Sequence, residues 1–339
     1  MRRDEISLFN VVCCLVVILV HTLSGIGSVF ADSSGVVLLC AVLKNISVFV
    51  FEAFMFLSGL RIFYNRYDDM FAILFYANRI IFIVIPYAVF AVIFYLYHQY
   101  TDFGQIGDTS LQLSMLTGNF APDMHFIVAL IQIYLLVPLI SRMFMYLNHK
   151  FCICISAVIS LAFGILSQTF PILNIFFPKY IFFWLFGAFC AINYKKFKTF
   201  VRQKKWLITE LFAIFLIAFN ACSLFLPAGW TYALYITEIL RMLYVLSAIL
   251  FLFMAATAIS DAVYFTNFIL CRVDGSSYFV FLFHSLIIFL TDMLLDKSVY
   301  AANIFLRYGL RAASAFGITL LVTFVWGYIK DVLFLRLDY

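Results

Sequence analysis

Residues 6–26 read ISLFNVVCCLVVILVHTLSGI, an almost unbroken apolar run that carries one amide, Asn10, and one imidazole, His21. As a helix rising 1.5 Å per residue, such a run covers roughly 30 Å, the thickness of the hydrocarbon layer of a bilayer. It follows Met1, Arg2 and Arg3 and shows no small-residue cleavage site, so it is expected to be a retained first span and not a removed leader. Nine further runs follow, at 36–60, 79–98, 125–147, 151–169, 179–193, 206–226, 232–257, 277–295 and 304–328. The run at 179–193 is short and sits behind Pro171 and Pro178. Composition agrees: 66% of the 339 residues are hydrophobic and 12% charged, against roughly 45–50% and 25% in soluble domains. The mean hydropathy of +1.08 excludes a single soluble core. Forty-three Phe and twenty Tyr suit helices that face lipid and end at the headgroup level. The expected fold is all-α, a polytopic transmembrane bundle of about ten spans forming one membrane domain over 1–339. Lipid is the expected surrounding, and no nucleic-acid partner is expected.

The basic residues orient such a bundle. With the N-terminus inside, one side collects Arg2, Arg3, Arg61, Arg66, Arg79, Lys150, Arg272, Lys330, Arg336 and the cluster Lys195, Lys196, Lys198, Arg202, Lys204 and Lys205. The other side holds only Lys179 and Lys297, beside Asp32, Asp102, Asp108, Asp123 and Asp296. The positive-inside rule then puts both termini in the cytoplasm. The Lys195–Lys205 cluster reads most simply as a loop facing anionic lipid. Eight cysteines lie mostly within apolar runs with no CxxC spacing, so they read as packing residues and no metal is expected.

An ionisable group inside a span costs at least a few kcal/mol on insertion scales, so each one asks for a reason. The polar residues within the runs are Asn10, His21, Lys44, Glu52, Glu238, Arg241, His284, Arg307 and Arg311. Helical rise puts His21 roughly 22 Å from the cytoplasmic boundary, and Glu52 and His284 each about 10 Å from it. Asn10 precedes His21 by eleven residues, about three turns, so both lie on nearly the same face. Packing explanations stand beside functional ones. Glu52 can pair with Lys44 on its own helix, Glu238 can pair with Arg241 three residues on, and Arg307 and Arg311 can snorkel to headgroups.

Several short motifs occur in order: the first span ending in His21, Phe54-Met-Phe-Leu-Ser58-Gly59, Asn78-Arg79 through Pro86-Tyr87, His125-Phe126 through Tyr134 and Pro138, Phe182-Phe-Trp-Leu-Phe-Gly187, and Ser277-Tyr278 through Phe283-His284. Together they resemble the acyltransferase type 3 membrane proteins. The first span ending in His21 is similar to the opening helix of that family, and Phe54-Met-Phe-Leu-Ser58-Gly59 to its aromatic run into Ser-Gly. Asn78-Arg79 through Pro86-Tyr87, and His125-Phe126 through Tyr134 and Pro138, resemble its third and fourth spans. Phe182-Phe-Trp-Leu-Phe-Gly187 resembles its aromatic-Gly span, and Ser277-Tyr278 through Phe283-His284 its late Ser-Tyr…His helix. One departure stands out: the family usually carries Arg where this chain has Asn10.

The resemblance implies an enzyme, an O-acyltransferase moving groups other than aminoacyl groups, in a bacterial plasma membrane. It implies acyl-CoA, with acetyl-CoA foremost, as cytoplasmic donor and a glycan hydroxyl on the outer side as acceptor. An alcohol is a poor nucleophile until its proton is removed, and a histidine changes protonation state near neutral pH. His21 is therefore expected to be the general base or an acyl relay, with Glu52 and His284 as further catalytic candidates. Arg79, Arg61 and Arg66 are expected to hold the donor phosphates, and Asn10, His125, Glu238 and Arg241 to contact substrate. Ser58 fits a helix-packing role better than that of a nucleophile. The competing class is transport, a polysaccharide or lipid-linked sugar exporter or flippase, which would move its substrate unmodified.

Overall fold

A computed structural model describes residues 4–24, 34–66, 72–100, 110–121, 124–227, 230–262, 270, 273–296 and 304–333. Its longer elements are α1 (Asp4–Leu23), α2 (Ser34–Ser47), α3 (Val50–Arg66), α4 (Ala72–Arg79), a π-helical stretch (Ile80–Val84), α5 (Ile85–Tyr100), α6 (Leu111–Thr117) and α7 (His125–Tyr146). There follow α8 (His149–Thr169), two 3-10 turns (Pro171–Ile175 and Phe177–Lys179), α9 (Ile181–Ile192), α10 (Tyr194–Gln203) and α11 (Lys205–Phe225). The last three are α12 (Thr231–Ala262), α13 (Ser277–Asp296) and α14 (Ile304–Leu333). Among the described residues, nine helical stretches are long and apolar enough to cross a membrane, and Ile181–Ile192 is a shorter tenth. The fold is thus a polytopic helical bundle. Arg2, Arg3, Asp32, Asp102, Asp108, Asp123, Arg272, Lys297 and Arg336, which enter the orientation argument, lie outside the described residues.

The chain forms two compact units. One is Phe51–Met254; the other joins Arg2–Val50 with Ala255–Tyr339.

Within the first unit, α3 and α9 cross at backbone contact. A Cβ on Gly59 would stand 2.0 Å from the carbonyl oxygen of Trp184, and one on Gly187 would stand 2.1 Å from that of Phe56. The two motifs ending in glycine are therefore opposite sides of one helix crossing, since only hydrogen fits where two backbones approach this closely. Phe63 meets Trp184 edge to face at 5.6 Å beside the crossing.

α9 is short because the chain ahead of it is not α-helical. The 3-10 turns lie against α8 well below its end: the Ser160 hydroxyl donates to the Pro178 carbonyl (2.9 Å) and accepts from the Phe182 amide (3.1 Å). Ser160 is nine residues before Thr169, about 13 Å along the helix axis. Gln132 of α7 serves the same segment, its amide donating to Ile175 O and accepting from Phe177 N–H, both at 3.0 Å. Irregular backbone at such depth is tolerated where protein side chains satisfy it. The proline-bounded run at 179–193 is a 12-residue helix entered from this dipping segment.

Pro86 shapes another element. A proline inside a helix lacks an N–H and crowds the carbonyl four residues back. The chain widens there into the π-stretch, where Ile85 N–H bonds Ile80 O. The Lys195–Lys205 cluster also differs from the loop expected of it. Tyr194–Gln203 is a helix whose buried Tyr194, Phe197 and Val201 share one face. Lys195, Lys196, Lys198 and Arg202 fill the remaining turns, the pattern of an interfacial helix.

Replacing Gly187 by Val should separate α3 from α9. Overpacking of this kind costs about 1–3 kcal/mol, so the detergent-solubilised variant should melt several degrees below wild type in a fluorescence size-exclusion assay. Ala at Gly309, where a Cβ meets nothing within 4 Å, should leave the melting temperature unchanged.

Candidate active site

In the second unit, α1, α13 and α14 are joined by polar contacts at three levels. At the first, the Ser7 hydroxyl donates to Asp274 Oδ2 (2.8 Å) and the Asn10 amide to Asp274 Oδ1 (2.7 Å). All three side chains are buried. Asp274 stands just before α13, where a helix N-terminus favours negative charge. Asn10 therefore has a buried carboxylate as its partner, which two neutral donors and the helix end can hold.

At the second level, the rings of His21 and His284 stand 4.9 Å apart. His284 is fully buried, with Nδ1 3.0 Å from the Val280 carbonyl and Nε2 3.1 Å from Ser285 Oγ. A carbonyl only accepts, so Nδ1 carries the proton; in the neutral ring Nε2 then accepts from the Ser285 hydroxyl. His21 is half-buried, in the last turn of α1.

This meeting corrects the depth reading, which separated the two histidines by about 12 Å of helical rise. That ruler lets every span begin at one plane. Here Asp274 lies beside Ser7 and Asn10, so α13 starts almost two turns along α1, and ten residues beyond Asp274 reach the level that eleven beyond Asn10 reach.

At the third level, Arg311 Nη1 donates to Ser24 O (2.7 Å) and Nη2 to Ser24 Oγ (3.1 Å), with Asp292 Oδ2 3.3 Å from Nη2. Arg311 is only 8% exposed, so it does not snorkel. Its neighbour Arg307 forms a more exposed pair with Asp296 at 2.7 Å.

The first unit holds a separate charged node. Arg241 grips Glu238 with two bonds, Nε to Oε2 at 2.9 Å and Nη2 to Oε1 at 2.7 Å, and reaches Glu52 Oε1 with Nη1 at 2.5 Å. Glu52 thus bonds to Arg241 of α12 and not to Lys44, which is exposed on α2. Gln168 donates to Glu238 Oε2 at 3.4 Å, and Gly164 leaves room for this carboxylate: a Cβ there would stand 2.1 Å from Glu238 Oε1. Lys179 ends the 3-10 segment, its amine donating to Asn174 Oδ1. His125 opens α7, its ring 6.4 Å from Phe51.

Arg79 ends α4 with its guanidinium over the rings of Phe75 and Tyr134, 5.0 and 4.8 Å from their centroids. The Ser58 hydroxyl donates to Tyr134 Oη (3.0 Å) and accepts from Trp184 Nε1 (3.3 Å). That engagement accounts for Ser58 as a packing residue. Arg61 is half-buried on α3; the side chain of Arg66 lies outside the described residues.

Of the expected catalytic residues, His21 and His284 come together, while Glu52 belongs to the node with Glu238 and Arg241. Sequence reasoning misses Asp274, which precedes the run at 277–295 and reads as loop, and Asp292, whose place near the end of that run lets it pass for an end residue. A Ser-Ser pair after Asp274-Gly275 was the available signal, an N-capping sequence at a helix start.

A family model described as an acyltransferase domain, that of the type 3 acyltransferases, matches residues 3–330. The chain belongs to this family. It is an integral-membrane acyltransferase, a multi-pass protein whose family match covers both structural units. No curated protein and no solved structure matches it.

The node gives this acyltransferase a measurable property. Arg241→Gln strands two buried carboxylates and should destabilise the protein by about 3–5 kcal/mol; adding Glu52→Gln and Glu238→Gln should recover part of the lost melting temperature.

Proposed function

We propose that the protein moves an acyl group, acetyl foremost, from cytoplasmic acyl-CoA to a hydroxyl of an extracytoplasmic glycan, in a bacterial plasma membrane with both termini cytoplasmic. The observation that carries this reading is the His21–His284 pair, 4.9 Å apart between helices of an acyltransferase-family chain. Each histidine has a distinct role. His284 has its Nδ1 engaged by Val280 and its Nε2 by Ser285, so it orients and polarises. His21, only half-buried, is the base. It accepts the proton of the acceptor hydroxyl as that oxygen attacks the thioester carbonyl. The carbon–oxygen bond forms, the carbon–sulfur bond breaks, and the departing thiolate takes the proton from His21, so the enzyme returns to its starting state.

The donor's phosphates need cations, and Arg79, Arg61 and Arg66 are the residues assigned to them. Arg79 is suited by its fork and by the two rings that fix its plane. His125 is assigned to acceptor contact. Glu52, Glu238 and Arg241 are assigned a supporting role within the first unit, where their mutual bonds tie α3 to α12.

The test is mass spectrometry of base-labile acyl esters on surface glycans from cells expressing wild type, His21→Ala or His284→Gln. Esters should appear with wild type, vanish with His21→Ala, and fall by about 10²-fold or more with His284→Gln, the scale of one positioned acid–base group. Esters that persist with His21→Ala at equal expression would refute the assignment. A change in surface glycan abundance with no ester in any strain would instead support an exporter.

A further inference from the structure

The third level of contacts, beyond His21, contains an ion pair that is incomplete by its own chemistry. Asp292 and Arg311 are 9% and 8% exposed, yet among the described residues Asp292 Oδ1 and Arg311 Nε have no hydrogen-bond partner. A buried charged group left with an unmet acceptor or donor costs at least about 1–3 kcal/mol, and two such atoms occur on the two members of one pair, whose Nη2 and Oδ2 lie 3.3 Å apart. The site therefore offers one strong acceptor and one strong donor side by side. It also offers an aromatic face, because the Arg311 guanidinium stands 5.8 Å from the centroid of the Tyr308 ring.

Its position is tied to the proposed base. Arg311 holds both the carbonyl and the hydroxyl of Ser24, and that hydroxyl donates to the carbonyl of His21 itself at 2.6 Å. Ser24 lies three residues past His21, less than one helical turn. The pair is also braced from its flank, where Thr291 Oγ1 donates to Ser314 Oγ at 2.8 Å between α13 and α14. A snorkelling arginine would have neither the burial nor these fixed bonds.

We propose that Asp292 and Arg311 form the acceptor subsite and recognise a vicinal diol of a sugar ring. One hydroxyl donates to Asp292 Oδ1, its neighbour accepts from Arg311 Nε–H, and the Tyr308 ring lies beside the sugar. This inference rests on the acyl-transfer reading above and adds the chemical feature by which the acceptor is selected. A lone alcohol would satisfy only one of the two orphan atoms and leave the other buried and unmet, which is how a polar site rejects an incomplete ligand.

The experiment uses full-length protein in lipid nanodiscs with acetyl-CoA, following thiol release with methyl β-glucoside or with cyclohexanol as acceptor. Wild type should prefer the glucoside by about tenfold or more, the worth of one hydrogen bond to a charged group. In Asp292→Asn and Arg311→Lys that preference should fall towards unity, with KM for the glucoside rising more than kcat falls. A ratio that stays at the wild-type value while both rates drop would mark a purely structural ion pair and overturn the proposal. If wild type releases no thiol with either acceptor, the acyl-transfer reading itself fails, and saturation-transfer NMR with methyl β-glucoside decides the subsite. A signal in wild type that disappears in Asp292→Asn would uphold diol binding, and equal signals in the two would overturn it.

Discussion

Hydrocarbon supplies no hydrogen-bond partners, so a polar group that this chain takes into its spans is costly unless protein or a bound molecule meets it. That constraint organises each unit. In one, it draws Ser7, Asn10 and Asp274 together and thereby sets the register of α13 on α1. In the other, it binds Glu52, Glu238 and Arg241 into a single node and makes Gln132 and Ser160 complete the dipping segment ahead of α9. The apolar surface places these helices in a membrane; the polar contacts fix how far each one slides.

Register then becomes function. With Asp274 against Asn10, the next matching turns bring His284 to His21, and a little further Arg311 reaches from Asp292 to Ser24. The family's usual arginine is missing at Asn10, yet the position is not idle. An amide there donates to a carboxylate that Ser7 also serves, so a neutral donor stands where a cationic one would. His284 is engaged at both ring nitrogens, by the Val280 carbonyl and the Ser285 hydroxyl, and the ring of His21 stands against it.

Helix existence was legible because a run of about twenty apolar residues has few other outcomes. The runs at 6–26 and 277–295 became Asp4–Leu23 and Ser277–Asp296 with small changes at their ends. The pairing of Glu238 with Arg241 was legible too, being local. What escaped was whatever depends on how one helix sits against another. Glu52 chose Arg241, 189 residues away, over Lys44 on its own run. Two histidines assigned to different depths met, because helical rise measures distance along a helix and not the offset between two. Arg311 looked like a snorkelling residue because its partners, Ser24 and Asp292, lie in other runs.

The central claim is that α1 and α13 are held in the register that faces His21 with His284. It is tested most directly by cross-linking in native membranes, with the cysteines replaced and the pair His21→Cys/His284→Cys introduced. A short bis-thiol reagent should join that pair rapidly, whereas Leu15→Cys/His284→Cys, with Leu15 on the exposed side of α1, should stay uncoupled. Coupling at Leu15 and none at His21 would mean a different face of α1 meets α13, and the active site described above would not exist.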